Sequence, residues 1–167
     1  MNRLKTILKT NDAASTIIIR VMVGSVFLSE GIQKFLYADS VGAGRFVKIG
    51  IPLPEIMGPF VGGMEILCGA LLLLGLFTRA AALVLMLIMC VAIFSTKLPI
   101  LLGSEFWIFS LKSLKRYGFW SMAHEARTDF CMLLGSLFLF IVGAGRRSLD
   151  FRFYNKMKNG NTDSREA

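Results

Sequence analysis

The sequence is short of the residues from which soluble active sites are built. It has one histidine, His124, and three cysteines among 167 residues. The H-E-x-x-H pair, the C-x-x-C pair and every other metal-ligand spacing are missing, so no metal site is expected. Nucleotide-binding glycine loops, the G-x-S-x-G elbow and the C-x-x-C-H haem motif are missing as well, and no cofactor is evident. Chemistry is left to ionisable side chains inside an apolar body, or to a partner subunit.

Charge is scarce too, at 18% of residues, while hydrophobic residues reach 54% and mean hydropathy is +0.62. A soluble domain of this length could not cover so much apolar surface. Lys and Arg exceed Asp and Glu by 19 to 11, a net +8. In a soluble chain that excess would suggest nucleic acid as the partner. Around apolar segments it is the signature of membrane orientation, so the partner expected is lipid and not nucleic acid.

Four stretches approach the ~20 apolar residues that a helix needs to cross a hydrocarbon core. They run from about Ile17 to Phe35, Ile56 to Phe77, Ala80 to Leu102 and Asp129 to Gly145. The first holds Arg20, Glu30 and Lys34 and no A-x-A site follows it, so it should stay in the mature protein. The expectation is an all-α integral membrane four-helix bundle, one domain over 1–167, with a polar, basic tail from 146 that frays beyond about Asn159.

The connections differ in character. Gly42, Gly44, Gly50, Pro52 and Pro54 predict an ordered or re-entrant loop over 37–55. Only Thr78-Arg79 separates the second and third stretches, which predicts a tight antiparallel hairpin with Thr78 as N-cap. Between Gly103 and Arg127, aromatics alternate with Lys112, Lys115 and Arg116, predicting a short helix at the membrane interface. Arg3, Lys5, Lys9, Arg79, Arg146, Arg147, Arg152, Lys156, Lys158 and Arg165 fall on one side of this topology. Arg45, Lys48, Lys112, Lys115, Arg116 and Arg127 fall on the other, so both termini are expected in the cytoplasm.

An ionisable side chain near the bilayer centre costs ~2.5–3.5 kcal/mol on insertion scales, so it should face a partner inside the protein. Glu65 is the sharpest case, the lone charge in its stretch. Gly58, Gly62 and Gly69 share its helical face, and Gly58-x-x-x-Gly62 is a small-residue packing motif. On the first stretch, Arg20, Glu30 and Lys34 fall within roughly 80° of one another beside Gly24 and Gly31. Glu30 and Lys34 stand i, i+4 in the favourable order, leaving Arg20 to find a partner or to snorkel. Two readings stand side by side: an ion-pair network that fixes helix register, or a proton or substrate site.

His124-Glu125-Ala126-Arg127-Thr128-Asp129 is the second constellation, placed at the entry to the fourth stretch. Asp129 there reads as a cap favoured by the helix dipole, or with His124 as a proton-delivering group. The catalytic candidates are therefore Glu65, Glu30, Lys34, His124 and Asp129, and the substrate-binding candidates Arg20, Arg79, Glu125 and Arg127. Cys68, Cys90 and Cys131 read as small apolar packing residues or, for Cys68 with Cys90, as a redox pair between helices.

The ordered set Arg20-Val21-Met22-Val23-Gly24, Glu30-Gly31-Ile32-Gln33-Lys34-Phe35, Gly50-Ile51-Pro52, Gly63-Met64-Glu65-Ile66-Leu67-Cys68-Gly69, Gly75-Leu76-Phe77-Thr78-Arg79 and Gly143-Ala144-Gly145-Arg146-Arg147-Ser148-Leu149-Asp150 resembles the DoxX family of small bacterial membrane proteins. The resemblance implies four transmembrane helices in the bacterial cytoplasmic (inner) membrane. The family includes proteins like the small membrane subunit of thiosulfate:quinone oxidoreductase, members tied to quinone or catechol resistance, and members associated with superoxide dismutase. That implies redox work on a quinone-like compound, as a subunit beside a redox partner or as a homo-oligomer. It transfers no catalytic residue. The rival expectation is a non-enzymatic assembly partner or small transport-like protein.

Overall fold

The computed structural model describes residues 13–156. Arg3, Lys5, Lys9, Lys158 and Arg165, used to orient the chain, and the tail beyond Asn159 lie outside the described residues. The secondary structure among the described residues is helical, apart from one isolated β-bridge, Phe106 to Phe109. In order they form α1 (Thr16–Leu36), α2 (Ala43–Ile49), α3 (Pro54–Leu74), α4 (Thr78–Leu102) and α5 (Phe119–Val142), and 149–156 is helical as well.

Three of these, α1, α3 and α4, are long and apolar enough to cross a membrane. Their outward faces carry Ile18, Phe60, Leu67, Leu87 and Val91, each more than half exposed, whereas Arg20, Glu65, Ser95 and Lys97 are buried. That inversion of the soluble pattern suits a lipid solvent. The fourth stretch differs from its expectation. Helix α5 starts at Phe119, ten residues before Asp129, and stops at Val142, where Gly143 adopts φ 87°. Its opening turns are amphipathic, so a hydropathy window passes over them. The separate interfacial helix expected between Gly103 and Arg127 is not present: residues 103–118 are non-helical, and the remainder belongs to α5.

Helices α1 and α3 are antiparallel and in backbone contact, with Gly24 facing Gly69 and Gly31 facing Gly62. A Cβ built on Gly31 would lie 2.7 Å from the Gly62 carbonyl oxygen and 2.9 Å from the Ile66 nitrogen, both main-chain atoms that cannot swing aside. The small-residue face expected on α3 is thus the seam. Gly31→Ala is predicted to cost about 1–3 kcal/mol as an overpacking change, read as a lowered melting temperature in detergent. The same scan on Gly63→Ala, which meets nothing within 4 Å, should show no loss. The other main packing pair is α4 with α5; α3 and α4 also meet, as their short connection requires.

The loop over 37–55 is ordered, as expected, and contains α2, which docks its Ala43 against Gly58 of α3. Residues 103–118 fold back over it, with the Ser110 N–H donating to the Ile49 carbonyl at 2.9 Å.

Helix α3 ends one turn before the predicted Phe77 because Gly75 takes the left-handed conformation, φ 67°, that closes a helix. The next helix is not capped by Thr78, whose hydroxyl has no partner. Instead Asp150 reaches across the chain: its two carboxylate oxygens accept from the Phe77 N–H at 2.8 Å and the Thr78 N–H at 2.9 Å. A carboxylate is the better choice, since it neutralises the positive end of the α4 dipole. Asp150→Ala is predicted to lower stability by about 0.5–2 kcal/mol, as for loss of a cap. Thr78→Val should leave the melting temperature unchanged or raised, because a hydroxyl already unsatisfied has no hydrogen bond to lose.

Candidate functional site

The charges inside the helix assembly fall into three groups. At one end of the fold Arg20, 2% exposed, does not snorkel. Its Nε donates to the Leu72 carbonyl at 2.9 Å, Nη2 to Leu73 at 3.0 Å, and Nη1 to Ala144 at 2.9 Å and Arg147 at 2.8 Å. A guanidinium at the C-terminus of α3 serves carbonyls of its last turn, that of Leu72 also accepting from the Gly75 N–H, and offsets the negative end of the dipole. Arg79, the other arginine singled out, donates from Nη1 to the Phe140 carbonyl near the end of α5, at 2.9 Å. Both arginines are thereby engaged on main-chain oxygens.

Deeper in the fold, Lys34 donates to Glu65 across the α1–α3 seam, Nζ to Oε2 at 2.6 Å, with side chains 10% and 3% exposed. The helical-face argument placed Glu65 correctly. The expected Glu30 to Lys34 pair does not form, and among the described residues Glu30 makes no ion pair. It lies near enough to act electrostatically on Glu65, as does Arg45. Glu30 is partly exposed and can be solvated, whereas Glu65 is 2% exposed and has Lys34 as its ion-pair partner.

The third group joins α4 to α5. Lys97 Nζ stands 2.9 Å from Asp129 Oδ2, with side chains 9% and 27% exposed. Asp129 is therefore not a helix cap but the half-buried partner in a second ion pair. Lys97 was missed in the sequence, although a lone cation in an otherwise apolar run between Arg79 and Leu102 was the signal that could have found it. One turn earlier on α5, Glu125 accepts from Lys112 of the preceding loop at 2.7 Å, and that hydrogen bond holds its carboxyl below the usual carboxylate range. Arg127 Nη1 lies 2.8 Å from His124 Nε2, and both residues are exposed. The 124–129 segment thus divides, with Glu125 and Asp129 turned toward lysines and His124 and Arg127 turned out.

Beside the Lys97–Asp129 pair, α4 and α5 leave a groove of about 320 Å³ lined by Cys90, Phe94, Lys97, Leu101, Met122 and Leu133 among others. Phe94 is held at its mouth by edge-on contacts with Phe106 and Phe109, ring centroids 5.7 and 6.1 Å apart. All three cysteines are free; Cys68 is buried on α3 while Cys90 faces this groove, so no Cys68–Cys90 disulfide exists. Among the described residues no group of three or more His, Cys, Asp or Glu gathers as metal ligands would.

The two helix pairs repeat one plan. In α1 and α3, Arg20 near the start of the first helix holds carbonyls near the end of the second, and Lys34 near its end pairs with an acid midway along the second. In α4 and α5, Arg79 with Phe140 and Lys97 with Asp129 do the same.

Apolar outer faces, three helices able to span, and charges paired inward define a helical membrane protein. This chain belongs to the DoxX family, whose profile matches residues 15–98. The match takes in Arg20, Lys34, Glu65 and Lys97 and stops before Asp129 and Asp150. The chain is 51% identical over 146 residues to an uncharacterized membrane protein, Rv3486, of Mycobacterium tuberculosis, covering 87% of this chain and 85% of that one. It is 27% identical over 151 residues to CatD of Bacillus subtilis, named a candidate oxidoreductase, covering 89% of this chain and 94% of that one. No solved structure matches the chain.

Proposed function

We propose that this chain is a four-helix transmembrane protein of the bacterial inner membrane, with both termini cytoplasmic, that serves as a subunit or accessory protein of a redox system handling quinone-like compounds. In this reading the part of α5 after Asp129 crosses beside α4, and the aromatic segment 103–118 lies at the interface. The observation that carries the redox role is the presence of two lysine–carboxylate pairs within the helix assembly, Lys34–Glu65 buried and Lys97–Asp129 with its acid half-buried. A quinone taking two electrons also takes two protons, and groups able to pass protons within a water-poor interior are what its site requires. The electrons come from a partner subunit, because this chain carries no redox cofactor motif. The similarity to CatD, named a candidate oxidoreductase, supports the same direction.

The test is quenching of Trp107 and Trp120 fluorescence by duroquinone in purified wild type and Glu65→Gln. Wild type is expected to bind with saturable quenching, and weakening by about tenfold in the variant, about 1.4 kcal/mol, would place Glu65 at the site. Equal binding removes Glu65 from the site, and absence of saturable quenching in wild type overturns the redox reading. A second reading has its own support: the Lys34–Glu65 bridge sits in a seam where glycine backbones touch, as a register-fixing pair would. It makes the protein an assembly partner, for which co-purification from native membranes should return a redox subunit while this chain alone binds no quinone.

A further inference from the structure

We propose that the groove between α4 and α5 is the binding site for a membrane-dissolved ring of the quinone class, with a ring carbonyl accepting a hydrogen bond from Lys97. The inference rests on the redox reading above and locates it. The volume, about 320 Å³, lies at the lower end of the ~300–1,000 Å³ range for small-ligand pockets. Cys90, Leu101, Met122 and Leu133 make its walls apolar, and the Phe94 ring, fixed edge-on by Phe106 and Phe109, offers a π surface for stacking.

Lys97 is the one charged residue in that lining. An ammonium has three N–H donors and Asp129 takes one of them, so two remain for an acceptor. A phospholipid tail has no acceptor to offer, whereas a quinone carries two carbonyl oxygens on an otherwise apolar ring. The Lys34–Glu65 pair, by contrast, lies in the α1–α3 seam with side chains 10% and 3% exposed. Of the two matching pairs in the repeated plan, the one at α4 and α5 contributes its lysine to a groove lining.

Photolabelling in lipid nanodiscs with a diazirine-bearing benzoquinone, followed by peptide mapping, tests the site. The expected result is label on residues 90–101 and 122–133 that excess duroquinone removes and oleate does not. Leu133→Trp, which fills the groove and leaves the ion pair untouched, should reduce the competed label at least about tenfold. Lys97→Met with Asp129→Leu, which removes both charges together, should do the same. Groove label removed equally by oleate, or unchanged in Leu133→Trp, overturns the proposal in favour of an acyl-chain groove. Competed label confined to other helices, with tryptophan quenching intact, overturns the groove and leaves the redox reading standing. No competed label and no quenching overturn both.

Discussion

Arg20→Met is expected to be the most damaging single substitution in the chain, lowering stability by about 3–5 kcal/mol, the range seen when one partner of a buried charge network is removed. Four carbonyls, those of Leu72, Leu73, Ala144 and Arg147, lose the guanidinium together, and of these the Leu72 carbonyl keeps the Gly75 N–H. Each buried acceptor left unsatisfied costs about 1–3 kcal/mol, offset where water or local movement reaches it. The damage also spreads, because Ala144 and Arg147 belong to the segment that carries Asp150 to the start of α4. Arg20→Lys should rescue little. An ammonium keeps the charge but lacks the planar fork that serves carbonyls on two sides. Fluorescence-detected size-exclusion chromatography after heating is the measurement. A melting temperature for Arg20→Met within about 2 °C of wild type would refute the clamp.

Lys34→Met is expected to have the next largest effect, again about 3–5 kcal/mol, since it strands the Glu65 carboxylate midway along α3. Glu65→Leu should cost less, because Lys34 lies two residues from the end of α1 and can extend toward the interface. The double variant Lys34→Met with Glu65→Leu should recover most of the loss, as replacement of a whole buried pair by apolar side chains often does. Additive losses in this cycle would mean that the two residues do not act as a pair. The double variant also separates the two roles of the bridge. If it is as stable as wild type and still binds duroquinone, the bridge sets helix register; if it is stable and binds none, the bridge belongs to the ligand site.

The outcome for individual residues follows from the distance over which their interactions act. Glu65 was placed from its own helix, since a face that collects Gly58, Gly62 and Gly69 can pack only against another backbone. For Arg20 the sequence leaves a partner or snorkelling open, because its four acceptors come from segments 52 to 127 residues away. The cap reading of Asp129 fails because the charged turn from His124 to Thr128 hides the true helix start at Phe119. Thr78 has the right residue type and position for a cap and still goes unused, outcompeted by an acid 72 residues downstream.

By itself the sequence determined that this is a membrane protein built of long apolar helices, with α1, α3 and α4 in nearly their observed places and Glu65 facing inward. These are local properties, set by helix periodicity, by apolar run length and by the glycines and prolines between runs. Only the tertiary structure decided that Lys34 takes Glu65 over Glu30, that Lys97 takes Asp129 beside an open groove, and that Arg20 and Asp150 tie off the ends of neighbouring helices. Each of those choices is a competition among charged groups for one buried partner, and its winner depends on which helices approach within about 3 Å, the reach of a hydrogen bond.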